Sequence, residues 1–227
     1  ESAGAQGILM ECIARCPSLV PGAINSINDG GVSISKELVT DPEVDVISYT
    51  GSSQTGKLIM EASSSSLKRL SLELGGKSPA VIFPDADIEN AVNEIVRGSM
   101  AHSGQMCTAI GRVVVHSSSY DQVGDALAEK MKALKVGHAL DESANLGPLI
   151  NEAAADRYIS YIDMAHRDGS VLVKGEKLYG EGYSTGCYVT PTLAEIDDLC
   201  HLLIQNELFS PFIVLERFDD PEEAIAR

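Results

Sequence analysis

Two stretches of the 227-residue chain combine residue types suited to covalent chemistry. In Ser103-Gly104-Gln105-Met106-Cys107-Thr108 a thiol follows a Gly-Gln pair, between a helical pattern and the apolar run Arg112-Val113-Val114-Val115. In Leu72-Glu73-Leu74-Gly75-Gly76-Lys77 a carboxylate stands among leucines. A thiolate forms a covalent intermediate with an electrophilic carbon, and a carboxylate whose pKa is raised toward neutrality activates the water that hydrolyses it. Leucine neighbours and partial burial would raise Glu73 in this way. Each residue also has a plainer reading. A lone cysteine is commonly a small buried hydrophobe, and a carboxylate at a strand end commonly keeps its head in water. His102 and His138 fall in no Cys/His arrangement and read as surface residues.

Composition narrows the classes of partner. A formal net charge of −16 argues against nucleic acid and anionic membranes, whose binding relies on Lys and Arg. It leaves room for a local anion site built from backbone N–H groups. No apolar run approaches the roughly 18 residues of a membrane span, and the start shows no signal-peptide pattern. Five cysteines form an odd, unpatterned set, which fits a reducing, cytoplasmic setting better than a disulfide framework. Cys12 and Cys16 lie four apart, but without a second pair or nearby histidines they read as buried structural thiols; no metal site is expected.

The elements that must position Cys107 and Glu73 alternate between strand and helix. Helical periodicity runs through Ile8, Leu9, Cys12 and Ile13 until Pro17. Residues 23–27 read as a strand, 32–38 as a short helix and 44–49 as a buried strand. Thr50-Gly51-Ser52-Ser53-Gln54-Thr55-Gly56-Lys57 then joins that strand to a helix over 57–62. This turn resembles a Walker loop superficially, without the hydroxyl residue after Lys57 that would hold magnesium. It reads either as a capped helix start, with Ser52 or Ser53 as N-cap, or as a turn that admits a dinucleotide phosphate. After the serine turn 63–66, strands are expected at 70–74, 80–83, 112–116, 171–173, 188–193 and 212–215. Helices are expected at 88–102, 120–134 and 151–166. The alternation predicts an α/β fold with a parallel sheet, and Gly75-Gly76 marks a break between residues 1–74 and 75–227.

Taken together and in this order, Tyr49-Thr50-Gly51-Ser52, Leu72-Glu73-Leu74-Gly75-Gly76-Lys77-Ser78-Pro79 and Gly104-Gln105-Met106-Cys107 resemble the NAD(P)-dependent aldehyde dehydrogenase family. Phe83-Pro84-Asp85-Ala86-Asp87, Gly147-Pro148-Leu149-Ile150, Pro191-Thr192 and Asn206-Glu207-Leu208-Phe209-Ser210-Pro211 extend the likeness over essentially the whole chain. The resemblance implies a three-layer α/β architecture: the C-terminal part of a Rossmann-like NAD-binding domain in 1–74 and a catalytic domain in 75–227. It makes Cys107 the nucleophile and Glu73 the residue that activates the deacylating water. It places Gly51 and Ser52 at the cofactor pyrophosphate, Leu74 among the cofactor contacts, Glu207 at the nicotinamide ribose and Phe209 beside the nicotinamide.

The reaction so implied oxidises a small-molecule aldehyde to a carboxylic acid through a thiohemiacetal and a thioester. Glu73 favours hydrolysis of the thioester over transfer to coenzyme A. Glu1, placed near the adenine ribose by spacing, favours NAD over NADP, because a carboxylate repels a 2′-phosphate. Family members are about twice this length. The sequence therefore reads as a fragment whose parent is a homo-oligomer, dimer or tetramer, and which lacks the Asn that completes the oxyanion hole and the Lys that meets the adenine ribose. The alternative is a catalytically inert fragment that acts only as a binding or structural module. Ser210 stands where the family has Gly, which puts the backbone near the ribose in question. Met106, next to the nucleophile, points to an apolar or aromatic aldehyde.

Overall fold

The computed structural model describes residues 3–227 and divides into two units, Glu1–Leu74 and Gly75–Arg227. Glu1, expected near the adenine ribose, lies outside the described residues.

The first unit contains α1 (Ala3–Ala14), α2 (Ser33–Thr40), β1 (Val46–Gly51), α3 (Ser53–Ser63), a single 3-10 turn (Ser64–Ser66) and β2 (Arg69–Leu74). β1 and β2 pair in parallel with α3 as the crossover, a βαβ unit. In register, Ile47 faces Leu70, Tyr49 faces Leu72 and Gly51 faces Leu74. Ile47, Tyr49, Leu70, Leu72 and Leu74 are partly shielded, with Leu74 packed onto Gly56 of α3, while Ser48, Thr50, Gly51, Ser71 and Glu73 are exposed. The Lys68 ammonium ties this unit together by donating to the carbonyls of Asp41 and Val44. Two expectations fail here. Residues 23–27 form no strand: they follow a turn at Gly22 (φ +84°) and have no ladder partner among the described residues. Cys12 and Cys16 are exposed rather than buried: α1, which carries Cys12, buries no residue, and Cys16 lies just beyond its end.

The second unit contains β3 (Ser78–Ile82), α4 (Ile88–Met100), β4 (Ile110–His116), α5 (Tyr120–Lys132), α6 (Glu152–Asp168), β5 (Ser170–Val173), β6 (Thr192–Glu195), α7 (Leu202–Gln205), β7 (Phe212–Phe218) and α8 (Pro221–Ala226). Its five strands run in the order β3-β4-β7-β6-β5. All neighbouring pairs are parallel except β5 with β6, which is antiparallel. The α/β class is as expected; the antiparallel edge strand is not. The expected strand over 188–193 enters the ladder only at Thr192, with Val189 making an isolated bridge to Lys177.

Side-chain alternation explains why helices cover both faces. Val113, Val115, Leu193, Ile213 and Leu215 pack with Val92 and Ile95 of α4 and Val123 and Leu127 of α5. Ala194, Phe212 and Val214 pack with Ala155, Tyr158 and Ile162 of α6. Asp87 caps α4 by accepting from the Asn90 N–H at 3.1 Å, and Asn151 caps α6 by accepting from the Ala154 N–H at 2.9 Å. Each fully buried aliphatic side chain in these layers stabilises the unit by about 1.5–3 kcal/mol. That rigidity fixes the loops at the ends of β3, β4 and β7.

Candidate active site

The chain leaves α4 through a short 3-10 turn at Ala101–Gly104 and must reverse into β4 within a few residues. It does so with three successive left-handed residues: His102 (φ 54°), Ser103 (φ 57°) and Gly104 (φ 72°). At Gly104 the conformation and the space agree, since a Cβ there would collide with the Ser210 carbonyl oxygen. His102 and Ser103 are held by bonds from outside the turn. The buried Ser103 Oγ donates to the Gly147 carbonyl at 2.9 Å. The Gln105 amide donates to the His102 carbonyl at 3.0 Å and to the Pro148 carbonyl at 3.4 Å, and its Oε1 accepts from the Ile150 N–H at 2.8 Å. Cys107 emerges from this braced turn with an exposed thiol.

Ser103 and Gln105 brace the turn before Cys107, a role that sequence reasoning did not single out. Their signal was present in the Gly-Gln pair and in the separate Gly147-Pro148-Leu149-Ile150 block, which the fold turns into one brace. His102 and His138 are exposed, and His138 Nδ1 accepts from the Leu140 N–H at 3.2 Å.

Glu207 and Phe209 lie on the loop between α7 and β7. The Glu207 carboxylate rests on the Gly75-Gly76 backbone: a Cβ on Gly75 would collide with its Oε2, and its Oε1 accepts a long hydrogen bond from the Gly76 N–H at 3.4 Å. Cys107 belongs to the same neighbourhood, because its carbonyl oxygen lies within 3.5 Å of where a Gly76 Cβ would stand. Phe209 is left-handed (φ 50°) and its ring is exposed. Ser210, in place of the family Gly, does not adopt a left-handed conformation, so the serine imposes no backbone strain there. Its hydroxyl is buried without a partner.

A cavity of about 20 Å³, room for roughly one water, is lined by Gly76, Lys77, Met106, Glu207 and Phe209 among others. Lys77 runs across Gly111, its Nζ about 3.3 Å from where a Cβ would be. Burial lowers its pKa from 10.5 to about 7; Arg112 pushes in the same direction, while Glu216 and Glu207 oppose it. Beneath it, Arg112 makes a two-pronged pair with Glu216, Nε to Oε1 at 2.6 Å and Nη2 to Oε2 at 2.8 Å. The Glu216 carboxylate holds the Arg112 pKa above its usual value.

The remaining expected site residues belong to the first unit. Gly51 ends β1 with the Tyr49 hydroxyl where a Cβ would stand. Ser52 is the N-cap of α3: its Oγ accepts from the Thr55 N–H at 3.2 Å and donates to Thr55 Oγ1 at 3.0 Å. Glu73 sits opposite Thr50 in the parallel ladder, so Gly51, Ser52, Glu73 and Leu74 cluster at the carboxyl ends of β1 and β2. That is the edge of a βαβ unit where ligands bind. The expected partial burial of Glu73 is corrected here. It is exposed, because α3 covers the opposite, leucine-bearing face. Leu74 turns toward α3.

Residues 2–227 match the profile of the aldehyde dehydrogenase family. Aldehyde dehydrogenase 1 of Tanacetum cinerariifolium is 34% identical over 224 residues, covering 97% of this chain and 44% of that protein. A betaine aldehyde dehydrogenase of Cereibacter sphaeroides is 36% identical over 211 residues, 92% of this chain and 42% of that protein. Among solved structures, betaine aldehyde dehydrogenase of Staphylococcus aureus in complex with NAD+ aligns with a TM-score of 0.89 at 32% identity, over 97% of this chain and 43% of that one. Aldehyde dehydrogenase C of Pseudomonas syringae, in complex with NAD+ and octanal, aligns with a TM-score of 0.89 at 30% identity, over 97% and 45%. The chain thus spans less than half the length of the relatives it matches. With the profile match running over nearly all of its residues, the chain belongs to the aldehyde dehydrogenase family.

Proposed function

We propose that this chain supplies the thiol and the water-activating carboxylate of an enzyme that oxidises an aldehyde to a carboxylic acid with NAD. The observation that carries the reading is Cys107, an exposed thiol on a strained turn braced from the Gly147–Ile150 segment. Its thiolate adds to the aldehyde carbon, giving an oxyanion that fixed donors would have to stabilise. Glu73 later takes a proton from the water that attacks the thioester, releasing the acid and restoring the thiol. Its exposure leaves it accessible to that water.

The residues present fit the cofactor. The N-terminal turn of α3, after Gly51-Ser52, would offer backbone N–H groups to a pyrophosphate. The Glu207 carboxylate would accept from ribose hydroxyls and the exposed Phe209 ring would flank the nicotinamide; Leu74, carried by the resemblance as a cofactor contact, packs against α3 instead. NAD, when bound, accepts the hydride from the substrate carbon. NAD rather than NADP is supported by the NAD+ bound in the related structures. Free cysteines support a cytoplasmic protein. The full-length protein is read as a homo-oligomer acting on a small-molecule aldehyde.

Cys107→Ser and Cys107→Ala are expected to abolish aldehyde turnover in the full-length protein; wild-type activity in either would sink the assignment. With Glu73→Gln, mass spectrometry should show the acyl-enzyme accumulating. A second reading is a binding or structural module without turnover. NAD binding and acid formation by the 227-residue chain would refute it.

A further inference from the structure

The segment Gly75-Gly76-Lys77 opens the second unit and forms a cradle for a carboxylate. Glu207 reaches it from a loop more than 130 residues later, and its carboxylate fills the space that a side chain at position 75 would need. One carboxylate oxygen takes the Gly76 N–H, and the next residue, Lys77, lines the same small cavity as Glu207. Among the described residues the Lys77 ammonium makes no hydrogen bond, so its charge is not committed to another acceptor. The groups around it come from every packed element: Arg112 on β4, Glu216 on β7 and Glu207 on the loop before β7, with Arg227 after α8 lying 3.9 Å from Glu216.

Glu216 is already satisfied by the two-pronged bond from Arg112. Among the described residues Glu207 has one long hydrogen bond, from Gly76. Glu216 acts on the Lys77 charge more strongly than Glu207 does, but among the described residues Glu207 is the carboxylate with no cation paired to it. We propose that Lys77 is a positioning residue: its charge holds the Glu207 carboxylate in the Gly75-Gly76 cradle, oriented for the cofactor ribose, and neutralising that charge loosens it. The proposal rests on the reading of Glu207 as a ribose contact, which is tested separately below. Because burial brings Lys77 to about 7, the hold is present on the acid side of neutrality and fades above it.

Two measurements on the full-length protein test this. The first follows lysine side chains labelled at Cε by NMR across pH, with Lys77→Arg identifying the Lys77 signal. Wild type should show one lysine titrating near neutrality, and Glu207→Gln should move its midpoint down, since the lost carboxylate was raising it. An unmoved midpoint overturns the coupling. The second titrates NAD. Lys77→Met should weaken binding about tenfold, the size of one charge-assisted contact, whereas Lys77→Arg stays close to wild type. Affinity should fall between pH 6 and pH 8.5 in wild type and stay level in Lys77→Arg. In a Glu207→Gln background Lys77→Met should add little. If Glu207→Gln weakens NAD binding and Lys77→Met does not, the positioning role is overturned. If Glu207→Gln leaves NAD affinity untouched while the NMR midpoint moves, the cofactor reading of Glu207 fails and the Lys77–Glu207 coupling stands. Should Lys77→Met fail to fold, Lys77→Arg and the pH profile still decide.

Discussion

The Arg112–Glu216 pair offers the sharpest test of how the second unit is held together. Arg112 is 8% exposed and Glu216 2%, and both sit on strands in the middle of the sheet. Desolvating two charges costs several kcal/mol each, and only their short, two-pronged contact at 2.6 and 2.8 Å offsets it. Removing one partner should therefore cost about 3–5 kcal/mol, a large part of a typical domain's stability. The two losses are not equal. Arg112→Met leaves Glu216 with Arg227 at 3.9 Å, whereas Glu216→Leu leaves Arg112 and Arg227 as neighbouring cations without a carboxylate between them. Glu216→Leu should be the worse by about 1 kcal/mol, the scale of one partly screened charge contact. The double variant Arg112→Met, Glu216→Leu buries apolar groups instead and should fall within about 1 kcal/mol of wild type, or be more stable. Urea unfolding followed by tyrosine fluorescence reads these differences, with six of the seven tyrosines in the second unit and no tryptophan present. Additive single losses in the double variant, or Arg112→Met worse than Glu216→Leu, would refute this account.

Two other substitutions test the neighbourhood of Cys107. Lys77 titrates at about 7 in the fold against 10.5 when free, so between those values the unfolded chain binds more protons and stability rises with pH. The rise totals about 5 kcal/mol, while below pH 7 the cost of the buried charge is fully present. Lys77→Met should flatten that slope and be more stable than wild type at pH 6; a parallel pH profile in the two proteins would contradict the buried-cation picture. Gly104→Ala forces a Cβ into the Ser210 carbonyl at a left-handed position and should cost at least about 2 kcal/mol. Alkylation of Cys107 by iodoacetamide should change rate with it, and an unaltered rate would show that the turn does not set the thiol's presentation.

Much of the fold was legible because its elements announce themselves locally. The helical faces of α4 and α5, the Asp87 and Ser52 caps and the Val113–Val115 run follow from patterns within a few residues. What the chain did not reveal depends on partners far away in sequence. The antiparallel direction of β5 leaves no mark in the pattern Val171-Leu172-Val173, because alternation records burial and not strand direction. Residues 23–27 carry strand-like composition but find no neighbour to pair with. Arg112 read as the polar start of a strand, whereas Glu216, 104 residues later, makes it a buried ion. Glu73 was expected to be shielded by its leucines, yet neighbours in a strand point to opposite faces, so Leu72 and Leu74 cannot bury it.

The same distinction separates the two readings that Cys107 carried. Exposure alone does not decide between them, since Cys12, Cys16 and Cys200 are also exposed. Cys187 shows what a packed thiol looks like in this chain: half-buried, its Sγ donating to Glu152 at 3.2 Å, its pKa pushed up mainly by burial. Cys107 has the opposite setting. The chain accepts left-handed conformations at His102 and Ser103, each costing roughly 1–2 kcal/mol, to turn toward it. It then secures that turn with the Ser103 and Gln105 bonds to a loop 40 or more residues later. Strain held by long-range bonds has no use in placing a filler thiol, which any relaxed turn into β4 would serve. It has a use where a sulfur must be held at one point and aimed outward, and that is the demand a nucleophile makes.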